Sequence, residues 1–335
     1  MRIATYNVEW FDALFDQSGA MQADGGWSSR YNVTRKDQAM AIATVMARID
    51  ADAIMVIEAP DSSRRKKSVT ALENFAEAFG LRTRAAVSGF ANDTQQEITL
   101  MYDPDVISAV HAPQDTPDAP QFDQEFRIDL DNDANTDPVV WSKPPLEVRL
   151  TAQGFPDLCL IGVHAKSKAP HGASNETDAM WISIANRRKQ LAQCIWLRKR
   201  VEGLVNAGHP TIVLGDFNDG PGLDKYEKLF GRSGVEIVLG EDGDMCMFDP
   251  HAAMTIANRF ASPTTSRFWL RHEKRFLQAL LDYIMVSPDV RQMQPAWRIW
   301  HPFEDPECFS DKALHGALLA ASDHFPVTLD ITAKE

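Results

Sequence analysis

Cysteine is scarce in this chain of 335 residues: four, at 159, 194, 246 and 308, dispersed and without a CxxC pair. That argues against a disulfide framework and against a thiolate zinc site. No apolar run approaches the ~18–20 residues that span a bilayer, so no transmembrane segment is expected. There is no GxSxG turn, no HExxH and no GxxxxGK[ST] loop, which removes the serine-hydrolase elbow, the zinc-protease helix and the P-loop. Positive charge is also short, with 34 Lys plus Arg against 47 Asp plus Glu and a net charge of −13. A protein that grips long duplex DNA displays a broad basic surface, so tight non-specific duplex binding is not expected. A local basic rim around a single phosphodiester stays compatible with the balance. The opening MRIATYNVEW lacks a basic region followed by an apolar stretch, so no signal peptide is expected. With cysteines that read as buried thiols, the expected location is the reducing cytoplasm.

What is present is ordinary globular composition, 24% charged and 44% hydrophobic, with polar residues recurring where hydrophobic runs end. These are Asn7 in RIATYNVEW, Glu58 in DAIMVIEAP, His164 in CLIGVHAKSK, Asp216 and Asn218 in TIVLGDFND, Asp282 in LLDYIMVS, and Asp323 with His324 in SDHFPVTL. Each run reads as a sheet strand. The set extends from position 7 to 324 and no Gly/Ser or Pro-rich linker divides it, which favours one domain over 1–335. Helical spacing marks 35–49, 69–79 and 179–205, and PGLDKYEKLF at 221–230 reads as a short helix with Pro near its start. LEVRLTAQGFPDLCLIGVHAK reads as a hairpin. Segment 12–33 reads as a loop. Segment 111–138 is acidic and proline-bearing, a surface excursion with an interdomain linker as the alternative. Segment 240–278 reads as a loop over the site, its Arg267, Phe268 and Trp269 suited either to stacking on a ligand or to loop packing. Strand–helix–strand units imply helices on sheet faces. The last strands show no comparable helices between them, which predicts a mixed sheet or two packed sheets; a single doubly wound sheet is the competitor.

Strand ends are rigid points from which side chains converge. Four carboxylates, two histidines and two asparagines delivered this way describe a hard-metal site with a general base beside it. Asp, Glu and Asn suit Mg²⁺ better than Zn²⁺, and Mn²⁺ accepts the same ligands. Glu58 either binds the cation or caps the following turn. Asp216 and Asn218 fall on one side of an extended segment, with Phe217 turned to the core; an Asx turn is the plainer alternative. His324, with an ordinary pKa of ~6.5, suits proton removal from water, and Asp282 is placed to receive its other ring hydrogen bond. His164, Lys166 and Lys168 suit phosphate recognition, with Glu97 as an orienting partner for His164. One of Arg187, Arg188 and Lys189 is expected to face phosphate, Arg188 being the choice. The RRKK run at 64–67 either guides an anion or is a solvated loop.

Taken together, TYNVEW, IMVIEAP, GVHAKSK, LGDFND, LDYIMVS and SDHFPV resemble the endonuclease/exonuclease/phosphatase superfamily, in the manner of deoxyribonuclease-I-like enzymes and uncharacterised bacterial members. The resemblance covers nearly the whole chain. It implies a four-layered α/β sandwich, two mixed sheets packed centrally with helices outside, and an active site at one edge. It implies a metal on Glu58 assisted by Asn7 and Asp323, and water and phosphate positioned by Asp216 and Asn218. It further implies a catalytic His324 oriented by Asp282, and His164 on phosphate. The implied activity is hydrolysis of a phosphate ester with Mg²⁺ or Mn²⁺, a phosphodiester or nucleic acid first. A phosphomonoesterase for a sugar, inositol or lipid phosphate, or a non-catalytic metal-stabilised binding protein, are the alternatives. The loops carry no substrate over.

Overall fold

The computed structural model describes the chain except residues 64–65, 93, 95, 130–134, 171, 223–229, 242, 244, 258–261, 271–273 and 334–335. Strand β1 (Arg2–Asn7) and β2 (Ala53–Ala59) lie parallel, as a helical crossover requires. That crossover is α1 (Arg35–Ile49), started by Thr34, whose hydroxyl accepts from Asp37 N at 3.1 Å. Along both strands the side chains alternate between two interiors. Ile3, Ala53, Met55 and Ile57 enter one apolar cluster, while Ala4, Tyr6, Ile54 and Val56 enter another beneath α1, α2 (Ser68–Phe79) and α8 (Lys312–Ala321). Both faces of these strands are buried, which is why their sequences read as nearly continuous apolar runs.

The first sheet has six strands in the order β14 (Ala296–Ile299), β15 (Val327–Asp330), β1, β2, β4 (Glu97–Tyr102) and β3 (Ala85–Ser88). The second has five, in the order β13 (Asp282–Val286), β10 (Thr211–Asp216), β9 (Leu158–His164), β8 (Leu146–Ala152) and β5 (Ile107–His111). Each sheet is mixed, with one parallel pair, β1/β2 or β9/β10, among antiparallel neighbours. The parallel pair β9/β10 is connected by α3 (Glu176–Asn206). The sheets face each other across Ile3, Met55 and Leu100 of the first and Leu146, Leu160, Leu214 and Ile284 of the second. Helix α3 and α4 (Gly234–Leu239) cover the second sheet's outer face. The result is a four-layered α/β sandwich, and the single doubly wound sheet is excluded.

Three expectations need correction. Segment 111–138 is more than a surface excursion: Ala119, Phe122 and Phe126 are buried against Trp196 of α3, and β6 (Phe126–Ile128) pairs with β7 (Asp137–Val139) over that helix. Segment 240–278 is not one loop. It holds α5 (Pro250–Ile256) and a hairpin of β11 (Ser266–Leu270) with β12 (Arg275–Ala279). Between β13 and β15 lie α6 (Pro288–Arg291), β14, α7 (Pro306–Ser310) and α8. Helix α8 was hidden because Asp311, which caps it through Ala313 N and Leu314 N, sits in a polar stretch that masks the apolar face of Leu314, Ala317, Leu318 and Ala321. Residues 223–229 of the helix expected over 221–230, and Arg64 and Arg65 of the basic run, lie outside the described residues.

Candidate active site

Strand parity builds the site. In β10 the residues entering the inter-sheet core are Ile212 and Leu214, and the next in phase is Asp216. In β13, Ile284 and Val286 put Asp282 on that same face; in β9, Leu158 and Leu160 lead through Gly162 to His164. Register then aligns Asp282, Asp216 and His164 as neighbours across three strands. Asn7, in phase with Ile3, closes from the opposite sheet and donates through Nδ2 to Asp216 Oδ2 at 3.0 Å.

Glu58 breaks the pattern. It has φ +60 at a bulge between Ile57 and Ala59, which re-aims a side chain that regular parity would turn toward α1. Its Oε2 accepts from Gln96 Nε2 at 2.7 Å and Trp10 N at 3.4 Å, while Oε1 lies 3.9 Å from His164 Nε2. The Asp216 carboxylate accepts from Asn218 N at 2.7 Å, and Asn218, itself at φ +49, donates to Ala165 O at 3.1 Å. Phe217 is buried against Tyr283.

His324 Nδ1 meets Asp282 Oδ2 at 2.8 Å, and Nε2 lies 3.9 Å from Asp216 Oδ2. The imidazole is walled by Phe268, edge-on at 5.4 Å. Two residues that sequence reading missed hold this corner. Thr265 Oγ1 accepts from Leu281 N and Asp282 N, each at 3.0 Å. Ser322 donates to Asn7 O at 2.8 Å and accepts from Glu9 N and His324 N, each at 3.2 Å, tying the first strand to the last turn. The hint for Ser322 was its place directly before Asp323–His324.

The other expected residues are placed less centrally. Asp323 is half-buried, its carbonyl accepting from Arg267 N at 2.7 Å. Glu97 does not meet His164: its carboxylate accepts from Ser62 N at 3.1 Å and Asn92 Nδ2 at 2.8 Å. The His164 ring instead meets Lys143, whose Nζ is 3.0 Å from Nδ1 and 3.2 Å from Nε2. Lys143 lies in a loop without periodicity, so only its charge could have signalled it. Lys166 has its backbone clamped by Gln193 and Gln190 of α3. Lys168 and the buried Arg187 both engage Asp219, and Arg188 is exposed.

Burial raises Asp216 and Asp323 each to about 7 and raises Glu58 as well. Burial lowers His164 far below its ordinary value, aided by Lys143, and leaves it neutral. Burial opposes protonation of His324, but Asp282 and Asp216 outweigh it and push that imidazole well above its ordinary value. Carboxylates desolvated together in this way are what a cation would stabilise. The donor set fits a divalent ion: ligand atoms of Asp216, Asp282 and His324 lie within 4.8 Å of one another, and Asn7 Oδ1 and Asp282 Oδ1 are buried oxygens without a hydrogen-bond partner.

The profile of the Endonuclease/Exonuclease/phosphatase family matches residues 4–324. The chain belongs to that family. Its general chemistry, metal-dependent hydrolysis of phosphate esters, accords with the acidic and histidine cluster. Among solved structures, truncated Caenorhabditis elegans TDP2 aligns at 12% identity and a TM-score of 0.51, over 99% of this chain and 97% of that one. A family protein from Bacteroides thetaiotaomicron aligns at 15% identity and 0.47, over 98% and 96%. The human Nocturnin catalytic domain, with bound sulfate anion, aligns at 14% and 0.45, over 100% and 94%. At 12% identity the likeness to the first of these is one of fold alone. A search of curated proteins returned no match.

Proposed function

We propose that this family member is a Mg²⁺-dependent phosphodiesterase, Mn²⁺ substituting, that hydrolyses its substrate with water activated at His324. The observation that carries the reading is the His324 pair with Asp282 at 2.8 Å, with Asp216 beside the other ring nitrogen. Asp282 holds Nδ1 and so leaves Nε2 to face the reacting water; the neighbouring carboxylates hold the imidazole protonated, and the charge of a bound ion beside them would bring it back down so that Nε2 can take the proton. Asp216, fixed by Asn7 and Asn218, orients that water and takes part in moving its proton. Glu58 and Asp323 would hold the ion, with the Asp216–Asp282–His324 cluster adjoining it. When bound, the ion supplies charge stabilisation to the phosphate and lowers the cost of developing negative charge. The Asn7 amide, with one hydrogen left beyond its bond to Asp216, donates to a phosphate oxygen without adding repulsive charge; the Asn218 amide, held by Ala165 O and Asp216, would have to exchange a bond to do the same, and neutral His164 donates from the opposite flank. Lys166, Lys168 and Arg188 form the proposed basic entrance on a chain of net charge −13. The negative balance favours a small or single-stranded substrate over extended duplex.

The test is a screen of bis-p-nitrophenyl phosphate, single-stranded and duplex nucleic acids, and sugar and lipid phosphomonoesters, each with Mg²⁺ and Mn²⁺. Metal-dependent diester cleavage, reduced by roughly 10²–10⁴-fold in His324→Ala with the fold unchanged by circular dichroism, is expected. Turnover of monoesters alone would overturn the diesterase reading. Near-parent turnover by His324→Ala would remove the base.

A further inference from the structure

Lys143 sits where no motif of the chain points. Its loop is stiff: Trp141 is buried and edge-on to Phe122 at 6.0 Å, Gln193 Nε2 of α3 holds Val140 O at 3.2 Å, and buried Pro144 and Pro145 follow. A residue before proline is restricted to extended backbone, so Lys143 projects from a fixed base rather than from a mobile loop. Its ammonium ends on the His164 ring, and His164 Nε2 is 3.7 Å from Asp216 Oδ2 and 3.9 Å from Glu58 Oε1. The cation therefore stands one imidazole away from two site carboxylates. Among the described residues no carboxylate comes within ion-pair distance of it, although Glu58 and Asp216 attract it and Lys166 repels it.

An ammonium drawn out of water without a carboxylate contact is costly to keep, and its hydrogen bonding is incomplete. It has three donors and His164 accepts one. An ammonium donates only to an unprotonated nitrogen, and the carboxylates of Glu58 and Asp216 face Nε2 and favour a hydrogen there, which leaves Nδ1 to accept from Lys143. One device thus prepares a neutral N–H donor and two spare ammonium donors beside the same carboxylates. That arrangement suits a tetrahedral dianion or monoanion with several acceptor oxygens.

We propose that Lys143 is the second cation of the centre: it grips the non-bridging oxygens of the scissile phosphate from the His164 side, so that a single divalent ion suffices. This rests on the phosphoesterase reading above. Lys143 then touches substrate directly, and a charge fixed on the protein does what a second ion does in two-metal phosphoesterases, where ions sit about 3.5–4 Å apart.

The experiment compares parent, Lys143→Met, Lys143→Arg and His324→Ala by turnover of the best diester from the screen. The same proteins are titrated calorimetrically with Mn²⁺ and with inorganic phosphate, and melted thermally. Expected are one Mn²⁺ per chain in parent and in Lys143→Met, a loss of roughly 100-fold in kcat in Lys143→Met, and phosphate affinity at least 10-fold weaker. Lys143→Arg should recover part of both. Lys143→Met should melt at or above the parent, since it removes a half-buried charge without a carboxylate contact; a structural prop would melt lower. Two Mn²⁺ per chain, or turnover and phosphate affinity in Lys143→Met within about 3-fold of the parent while His324→Ala is inactive, overturns the role of Lys143 and leaves the phosphodiesterase reading standing. If the parent turns over no phosphate ester, that reading fails instead, and the Mn²⁺ and phosphate titrations still decide Lys143.

Discussion

Glu97 brings a carboxylate into the interior where, among the described residues, its donors are neutral: Ser62 N, Asn92 N and Asn92 Nδ2. Burial is the leading cause that raises it to about 7, against an ordinary value of 4.5. The folded state therefore binds a proton that the unfolded chain releases near 4.5. By linkage, stability from this group is complete below pH ~4.5 and is lost as pH rises to 7. At 1.36 kcal/mol per pKa unit the loss is on the order of 3 kcal/mol. Glu97→Gln keeps the shape and removes the titration. It should melt with the parent near pH 4.5 and above it at pH 8, by several degrees. A difference independent of pH would show that the carboxylate is not held protonated. Residue chemistry of this kind was only half legible. Asn7, Asp216, Asp282 and His164 were readable because parity and burial place them. Glu97's partners and Lys143 were not, because loop geometry decides them and loops carry no period.

Among the elements, β10 shows how little freedom the site leaves its backbone. Gly215 has φ +139, and a Cβ there would overlap the Val163 carbonyl oxygen of the neighbouring strand. Glycine alone accepts that conformation and that approach. The close approach lets Asp216 fall beside His164 and Asp282 in register. Gly215→Ala should therefore cost about 2–4 kcal/mol and lower turnover beyond what the melting shift explains, because Asp216 moves with the strand. Urea melts and kcat of the variant check this; a parent-like kcat in a merely less stable protein would show that the strand yields without moving Asp216. Strands and long helices were legible because both faces of each central strand are buried and α1 and α3 keep an apolar stripe. The β11/β12 hairpin was not, since Trp269, Phe276 and Arg267 stack on each other rather than in a core, and α8 was not, since the polar stretch around its cap Asp311 masks it.

Across the whole molecule, no layer has an apolar core of its own. The inter-sheet cluster draws Ile3, Met55 and Leu329 from one sheet and Leu160, Leu214 and Ile284 from the other, so neither sheet can keep that face dry alone. Polar ties run the same way. Trp297 of the first sheet donates its indole N–H to Ile284 O of the second at 2.8 Å, and Asn7 reaches Asp216 between them. Chain ends are tied in as well, with β1 paired to β15 and the Met1 ammonium donating to Ile331 O at 2.8 Å. A domain boundary needs a plane that few contacts cross, and these ties cross the only plane available between the sheets. Unfolding is therefore expected to be one cooperative event despite the length of the chain. Hydrogen exchange in a urea series, read on peptides from β2 and β10, should show both losing protection at the same denaturant concentration, with far-UV circular dichroism following the same midpoint. If β10 opens well before β2, the sandwich consists of two units and the site lies at their boundary rather than inside one domain.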